Sequence, residues 1–245
     1  MTLFSSVFTS VFKRRDVKIL LAFSLLPLIL PGLSGVMDAQ MSDSGTNSLF
    51  SFLLSMLELQ YLLILPSLMI GLIVSSVFRD EISSGILFLY KDIKRSKIVN
   101  VKLLSLFAVY AIYALATSLV ALVTYFFYIV PQYGFHLLPS KGVGSSFLYL
   151  ITIAGNHLIL IVLTAALSIK RSTLVAVLAG ILYNLFAMTA PMLNGIRYLF
   201  PNSYPTKLVS SMPFGLLLII SLGLTLLYIG LGYLSARKNF NKIEF

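Results

Sequence analysis

Apolar positions along the chain form six long runs, which are separated by short polar or charged segments. The runs cover residues 19–37, 59–78, 103–130, 147–169, 173–192 and 214–234. A helix that crosses the roughly 30 Å hydrocarbon layer needs about 20 apolar residues. Each run is apolar on all sides, whereas the strands of a membrane barrel alternate. The sequence therefore predicts an all-α integral membrane protein, a single domain over residues 1–245 with six transmembrane helices.

The first 15 residues have a different pattern, with apolar side chains at helical spacing and Ser and Thr between them. The apolar set is Leu3, Phe4, Val7, Phe8, Val11 and Phe12. At about 100° per residue this set covers one half of a helix. We expect an amphipathic helix over residues 1–15 that lies in the membrane interface, with the basic residues 13–15 against anionic headgroups.

Composition agrees with a membrane location. The chain is 58% hydrophobic and 11% charged, whereas an ordinary soluble domain is about 25% charged. This excludes a soluble globular enzyme and a disordered tail. The absence of Cys excludes a disulfide scaffold and a thiolate metal site.

The basic residues predict the orientation. Fifteen of the 18 Lys and Arg residues lie at the two ends of the chain and in the segments after the second and fourth runs. The opposite side has Lys141, Arg197 and Lys207. Because cytoplasmic loops carry the excess of positive charge, both termini are expected in the cytoplasm, with the spans in the cell membrane. The net charge of +10 then needs no nucleic-acid partner.

The segment between the last two runs, residues 193–213, mixes helix-breaking and aromatic residues. They are Pro201, Pro205, Pro213, Tyr198, Phe200 and Tyr204. This mixture favours a structured re-entrant or interfacial hairpin on the outer side over a flexible loop.

Polar residues within the runs are candidate elements of a substrate path or gate. Glu58 falls near the outer boundary, where it either meets water and headgroups or has a substrate or gating role. His157 is expected to be hydrogen-bonded inside the bundle or to act as a ligand, and Asn184 to join two helices. Pro66 should break the hydrogen-bond ladder of the second span.

Small residues recur four positions apart within two of the runs and at the end of a third. The pairs are Gly71 with Ser75, Ala176 with Gly180, and Gly232 with Ala236. Such pairs permit close approach of two helices, including the helices of a dimer.

Motifs for covalent chemistry are missing. The chain has no Gly-Lys dipeptide and therefore no phosphate-binding loop. It also lacks the zinc-protease, nucleophile-elbow and paired-carboxylate patterns. We expect no catalytic residues, no metal site and no cofactor on this chain, so that by itself it is not an enzyme.

The segment after the second run, residues 79–102, is the longest insert on the basic side. Asp80 and Glu81 can favour the start of a helix there. An apolar face is formed by Ile82, Ile86, Leu89 and Tyr90. A short amphipathic helix of this kind either lies on lipid or docks into a groove of a partner.

This segment resembles the corresponding loop in the membrane subunits of the type-2 ABC exporter family. Those subunits carry a Glu-x3-Gly motif after the second span, then a basic stretch, then a Lys that opens the third span. The matching residues are Glu81, Gly85, Arg95 and Lys102. The resemblance extends over essentially the whole chain. It departs from the family at residues 92–94, where many members have a Pro.

The resemblance implies that residues 81–91 form a coupling helix, which transmits the closure of a separate ATPase chain to the spans. The coupling residues would be Asp80, Glu81, Ile82, Gly85, Ile86, Leu89, Tyr90 and Lys91. ATP and Mg would be bound by the partner ATPase. A second copy of the chain or a related permease would complete the transporter in the lipid bilayer. The cargo would be amphipathic or hydrophobic: a peptide first, then a drug or a lipid-linked glycan.

Three other functions remain open. A secondary transporter or channel that needs no ATP would normally show a charged relay at mid-membrane or two matching halves. A membrane-embedded enzyme would need a catalytic constellation. A non-transporting assembly or sensor subunit is the third.

Overall fold

The computed structural model describes residues 3–29, 48–85, 93–139, 142–206 and 212–242, and its regular elements in these ranges are helical. We number eight principal helices in these ranges: α1 (Leu3–Phe12), α2 (Arg15–Ala22), α3 (Leu49–Leu62), α4 (Ile64–Ser75), α5 (Arg95–Thr124), α6 (Val143–Ser168), α7 (Thr173–Thr189) and α8 (Phe214–Phe240). Several continue through shorter turns, which are Phe23–Leu25 and Leu26–Ile29 after α2, Ser76–Asp80 and Glu81–Ser83 after α4, Tyr125–Ile129 and Val130–Tyr133 after α5, and Ala190–Met192 after α7.

Within the described ranges, four helices are long and apolar enough to cross a membrane. They are Arg95–Tyr133, Val143–Ser168, Thr173–Met192 and Phe214–Phe240. These helices correspond to the last four predicted runs. The first of them begins eight residues before its run, because the basic residues there extend the helix beyond the apolar part. The chain is therefore a helical membrane protein.

The second predicted run, residues 59–78, is bent, and the break that the sequence predicted near Pro66 is present. The axis turns by 66° between Leu49–Leu62 and Ile64–Ser83. Leu63 leaves the helical region with ψ 124°, three residues before Pro66. Pro66 has no N–H to donate to the carbonyl of Leu62, so the ladder breaks where the sequence indicated. Counting the bent pair as one span gives five candidate spans in the described ranges.

The first predicted run, residues 19–37, is described as far as Ile29. This part comprises the second half of α2 and the two turns that follow it. Residues 30–37 lie outside the described ranges. A first span is therefore part of the topology proposed below.

Helix α6 lies at the centre of the bundle and packs against α3, α4, α7 and α8. In its most apolar window 67% of the residues are buried, against 17% for α8. The main core joins α1, α2, α4, α5, α6 and α8. Because the outer faces of α5, α7 and α8 remain apolar and exposed, they suit lipid or a partner subunit.

Helix α1 forms over the amphipathic segment and packs on α5. Val7 and Val11 are buried on this contact. The rings of Phe4, Phe8 and Phe12 stack along the helix with centroid distances of 5.8 and 5.6 Å. The apolar face predicted from spacing therefore divides into a valine row that meets the bundle and a partly buried phenylalanine row.

The turns that follow α7 close one end of the bundle. They include Ile196–Leu199 and Pro201–Ser203. The Tyr204 hydroxyl donates to the Tyr198 carbonyl at 2.7 Å, and the Thr152 hydroxyl of α6 donates to Asn202 Oδ1 at 3.3 Å. The first part of the predicted hairpin is thus tied to the bundle; residues 207–211 lie outside the described ranges.

Candidate functional site

Charged residues from three distant parts of the chain meet at one end of the bundle, which we call the basic end. Glu81 accepts from Arg14 Nη2 at 3.3 Å and contacts Lys102 Nζ at 2.7 Å. Within the described ranges both salt bridges converge on this carboxylate. We call Arg14, Glu81 and Lys102 the ion cluster. Arg14, which the sequence assigned to lipid headgroups, instead joins the start of α2 to the end of α4.

Lys102 is the most deeply buried member of the ion cluster, with 1% of its side chain exposed. Its Nζ also donates to the Val77 carbonyl at 2.8 Å and lies 5.2 Å from the centre of the Phe78 ring. Both residues lie in the π-helical segment Ser76–Asp80. A π-helical turn commonly marks a functional site, and here it faces the buried ammonium.

Burial determines what the ion cluster can do. Desolvating a carboxylate and an ammonium costs several kcal/mol per ion, and their attraction offsets this only when the geometry is good. Such a pair adds little net stability compared with an apolar pair, but it penalises any arrangement that separates the charges. The ion cluster therefore holds α1–α2, α4 and α5 in one register at the basic end.

The helix predicted over residues 81–91 does not begin at Asp80 and Glu81. These two residues lie in the last turns of the helix that continues from α4, which ends at Ser83. Gly85 follows with φ +71°, in the left-handed region that favours glycine. The glycine of the Glu-x3-Gly motif thus stops the helix, while the glutamate remains inside it.

The other predicted coupling residues divide into two groups. Asp80 is exposed, and Ile82 is partly buried against the main core. Ile86, Leu89, Tyr90 and Lys91 lie outside the described ranges. A helix over part of residues 86–91 is therefore a proposal.

A polar network crosses the middle of the bundle. Asn156 Nδ2 donates to the Tyr61 hydroxyl at 3.2 Å, and Asn156 Oδ1 accepts from the Tyr183 hydroxyl at 3.0 Å. Asn156 and Tyr61 are fully buried. One amide therefore links α6 to α3 and to α7, a role that the apolar pattern of the three helices did not indicate.

His157 packs among aromatic rings beside this network. Its ring stacks on Tyr110 with centroids 5.0 Å apart and meets the Tyr61 ring edge-on at 5.5 Å. Nδ1 lies 2.9 Å from the Ile153 carbonyl. The expected hydrogen bond inside the bundle is present. Nε2 has no hydrogen-bond partner among the described residues.

Asn184 and Gln60 make further interhelical bonds. Asn184 Nδ2 donates to Ser67 Oγ at 3.0 Å and joins α7 to α4, as the sequence predicted. Gln60 donates to the Phe23 carbonyl at 3.0 Å and accepts from the Thr117 hydroxyl at 2.9 Å. Gln60 was missed, although a glutamine inside an apolar run is itself a signal of an interhelical bond.

We expect Asn156→Leu to lower the free energy of unfolding by about 1 kcal/mol, because both tyrosine hydroxyls lose their partner. Tyr183→Phe removes one of the two bonds and should cost less. Unfolding by sodium dodecyl sulfate in mixed micelles measures the free energy of unfolding of both variants. Equal stability of Asn156→Leu and the wild type would show that the network contributes nothing.

Glu58 lies near the opposite end of the bundle, as its sequence position indicated. Its Oε1 accepts from the Tyr149 hydroxyl of α6 at 2.9 Å. The carboxylate lines a cavity of about 440 Å³ together with residues of α6, the end of α7 and the turns after α7. Pro66, His157 and Asn184 do not line this cavity, so the four candidates for a substrate path or gate do not form one site.

In the described ranges, no group of three His, Asp or Glu side chains comes together. The possible functional features are therefore the ion cluster, the buried polar network and the Glu58 cavity.

Comparisons with models of known protein families, with curated proteins and with solved structures find no match for this chain.

Proposed function

We propose that the chain is the transmembrane permease subunit of an ATP-binding cassette exporter. It would move an amphipathic or hydrophobic cargo, with a peptide favoured over a drug or a lipid-linked glycan, out of the cytoplasm. A separate ATPase chain binds ATP and Mg and drives the movement. A second permease, identical or related, completes the assembly.

The observation that carries this proposal is the ion cluster. Glu81 and Lys102 are the two charged residues that the family resemblance singled out at the ends of the loop, and they pair at 2.7 Å. Arg14 adds the N-terminal segment to the same carboxylate. A partner that moves the loop after Gly85 would act directly on three elements of the bundle.

Coupling then has a simple physical form. The ATPase binds the segment of residues 84–94, which includes the rest of the proposed coupling helix, and shifts it when the nucleotide sites close. Because the ion cluster opposes separation of its charges, the shift moves α4 and the start of α5 together. ATP stabilises one packing of the bundle and hydrolysis releases it.

The topology of the proposal has six spans, with an interfacial α1 and both termini in the cytoplasm. Its support is the charge asymmetry of fifteen Lys and Arg residues against three. Arg95, Arg237 and Lys102 meet the same end of the bundle as Arg14, through bonds such as Arg237 Nε to Ser96 Oγ at 3.0 Å. A first span over residues 19–37 completes the count.

Purification of the chain from its native membrane in mild detergent tests the partner directly. We expect mass spectrometry to find a stoichiometric soluble chain with a Gly-Lys phosphate loop. Recovery of the chain alone, or only with copies of itself, would contradict the exporter proposal.

Gly85→Ala tests coupling in the purified complex. Gly85 has room for a Cβ but a positive φ, so the substitution strains the backbone by about 1–2 kcal/mol without a clash. We expect it to weaken the stimulation of ATP hydrolysis by cargo. Gly142→Ala is the matched control, because Gly142 also has a left-handed backbone, with φ +76° and ψ +18°, and an added Cβ would meet only the Ser145 hydroxyl, but it precedes α6 at the other end of the bundle. If both variants lose the same amount of cargo-stimulated ATP hydrolysis, the loss is due to general backbone strain and not to coupling through Gly85.

An ATP-independent transporter or channel is the second candidate, and the Glu58 cavity favours it. This candidate would use the buried polar network and Glu58 as its path. It requires transport by the purified chain alone, in vesicles without any ATPase.

A further inference from the structure

The Glu58 cavity is a ligand-sized space in the described part of the molecule. Its volume of about 440 Å³ lies within the range of small-molecule sites. It opens between α3, α6 and the end of α7, and the turn that contains Asn202 and Thr206 lies along its edge. The bent helix pair contributes Glu58 and Leu62, just before the break at Leu63.

The described residues that line the Glu58 cavity carry an unbalanced negative charge. Glu58 is the one ionisable acid or base among the described lining residues apart from the phenol of Tyr149. Oε1 accepts from that phenol, whereas Oε2 accepts from no described residue and is not a buried atom. A carboxylate that lines a cavity whose described walls supply no cation can accept from a donor that carries positive charge.

The remaining wall indicates the kind of cation. Apolar side chains of Leu54, Leu62, Met188 and Met192 cover much of it. Methionine adapts its shape to irregular apolar groups. A bare metal ion would prefer several carboxylate and carbonyl ligands, whereas an organic amine needs one carboxylate and an apolar surface for its body.

We propose that this cavity binds a primary ammonium group carried on an apolar body, with Glu58 Oε2 as the acceptor. The amine would come from an amphipathic cargo or from a phosphatidylethanolamine headgroup. The Tyr149 hydroxyl binds Oε1, which leaves Oε2 for the ammonium group. That the cavity faces the outer side rests on the proposed topology; the binding itself does not.

Tryptamine and its neutral counterpart tryptophol test the inference. The chain has no Trp, so all indole fluorescence comes from the probe. The anisotropy of this fluorescence in detergent therefore reports whether the probe is bound. We expect wild-type protein to bind tryptamine about tenfold more tightly than tryptophol, the size of one charge-assisted bond. Glu58→Gln should abolish this preference and leave tryptophol binding unchanged. It retains an acceptor for Tyr149, so the fold should survive.

Two further variants keep the experiment decisive. Asp16→Asn removes the same charge from α2, far from the cavity in the chain, and should preserve the preference. Ser146→Lys places a tethered ammonium on the cavity wall and should abolish it with Glu58 intact, even if Glu58→Gln fails to fold. Equal affinities of the wild type for both probes, or an unchanged preference in Ser146→Lys, would overturn the inference.

Vesicles distinguish the two sources of the amine. If phosphatidylethanolamine added to phosphatidylglycerol vesicles competes with tryptamine for the wild type but not for Glu58→Gln, the lipid headgroup is the ligand. Lack of competition would exclude this lipid headgroup as the ligand and leave an amphipathic cargo as the proposed source of the amine. These measurements contain no nucleotide and no ATPase, so their failure leaves the exporter proposal intact, and failure to find an ATPase leaves this site intact.

Discussion

Replacing Glu81 with alanine is expected to lower the free energy of unfolding by about 3 kcal/mol, because it leaves a buried ammonium without its counterion. Lys102 would retain the Val77 carbonyl and the Phe78 ring face. Neither carries a negative charge. Arg14 would lose its partner too, but its side chain is 24% exposed and can turn to water.

The comparison with Asp80→Ala separates the effect of burial on stability from the effect of removing an acid. Asp80 is the neighbouring acid but is exposed, so its loss should change stability by about 0.5 kcal/mol or less. Titration with sodium dodecyl sulfate in mixed micelles gives both values. If Glu81→Ala and Asp80→Ala lower the free energy of unfolding by similar amounts, the pairing of Glu81 with Lys102 does not stabilise the fold.

A second substitution separates the ion pair from other roles of Glu81. Lys102→Met keeps most of the length of the side chain and removes its charge. In the background of Glu81→Ala, it should recover most of the lost stability, since an apolar pair avoids the desolvation cost. If stability returns but coupling to the ATPase does not, the ion cluster acts in coupling beyond its contribution to the fold.

The last four spans could be predicted from the sequence because length and hydropathy alone determine them. An apolar run of 20 or more residues between charged segments has few alternatives in a bilayer. The bend between α3 and α4 was only half predictable. Pro66 indicated a broken ladder, but the 66° angle depends on how α3 and α4 each pack in the bundle.

The loop after α4 shows where local pattern fails. Asp80 and Glu81 suit the start of a helix, and they suit its end equally when a neighbouring cation neutralises one of them. The contacts of Glu81 with Lys102 and Arg14 favour the end of the helix. Residue spacing in the sequence does not reveal these contacts. Gly85, treated as part of a helix in the sequence, has a backbone that ends one.

The sequence indicated single residues of the candidate sites, but it did not indicate which residues contact them. Glu58 and Glu81 stood out because acids are rare in this chain. Their partners did not, since Arg14 lies 67 residues from Glu81 and Tyr149 lies 91 residues from Glu58. The sequence around Tyr149 does not distinguish it from the other tyrosines of the chain. The cavity therefore could not be predicted without knowing how α3 packs on α6.

Close packing of small residues is the second strong constraint on this bundle, and it acts within the chain. An added Cβ at Gly71 would meet Val177 at 3.3 Å, and one at Gly232 would meet Val162 at 2.7 Å. These contacts join α4 to α7 and α6 to α8. The small-residue pairs that could have marked a dimer face therefore also position helices of one subunit.

Gly180 gives the sharpest test of this packing. A Cβ there would lie 2.5 Å from Thr164 Oγ1 on α6, and threonine is stiff at χ1. We expect Gly180→Ala to lower the free energy of unfolding by about 2 kcal/mol through overpacking. The matched control is Gly223→Ala on α8, where an added Cβ meets nothing within 4 Å; it should be neutral or stabilising, because alanine favours a helix.

Thr164→Ala should rescue Gly180→Ala, because the atoms nearest the new Cβ would then lie at 3.6 and 3.9 Å, in ordinary contact. The Thr164 hydroxyl has no hydrogen-bond partner among the described residues, so its removal alone should cost little. Rescue would place α6 and α7 of one chain against each other at this glycine. If Gly180→Ala is as stable as the wild type, or if Thr164→Ala gives no recovery, the two helices do not approach each other here, and Gly180 is free to serve a contact between subunits.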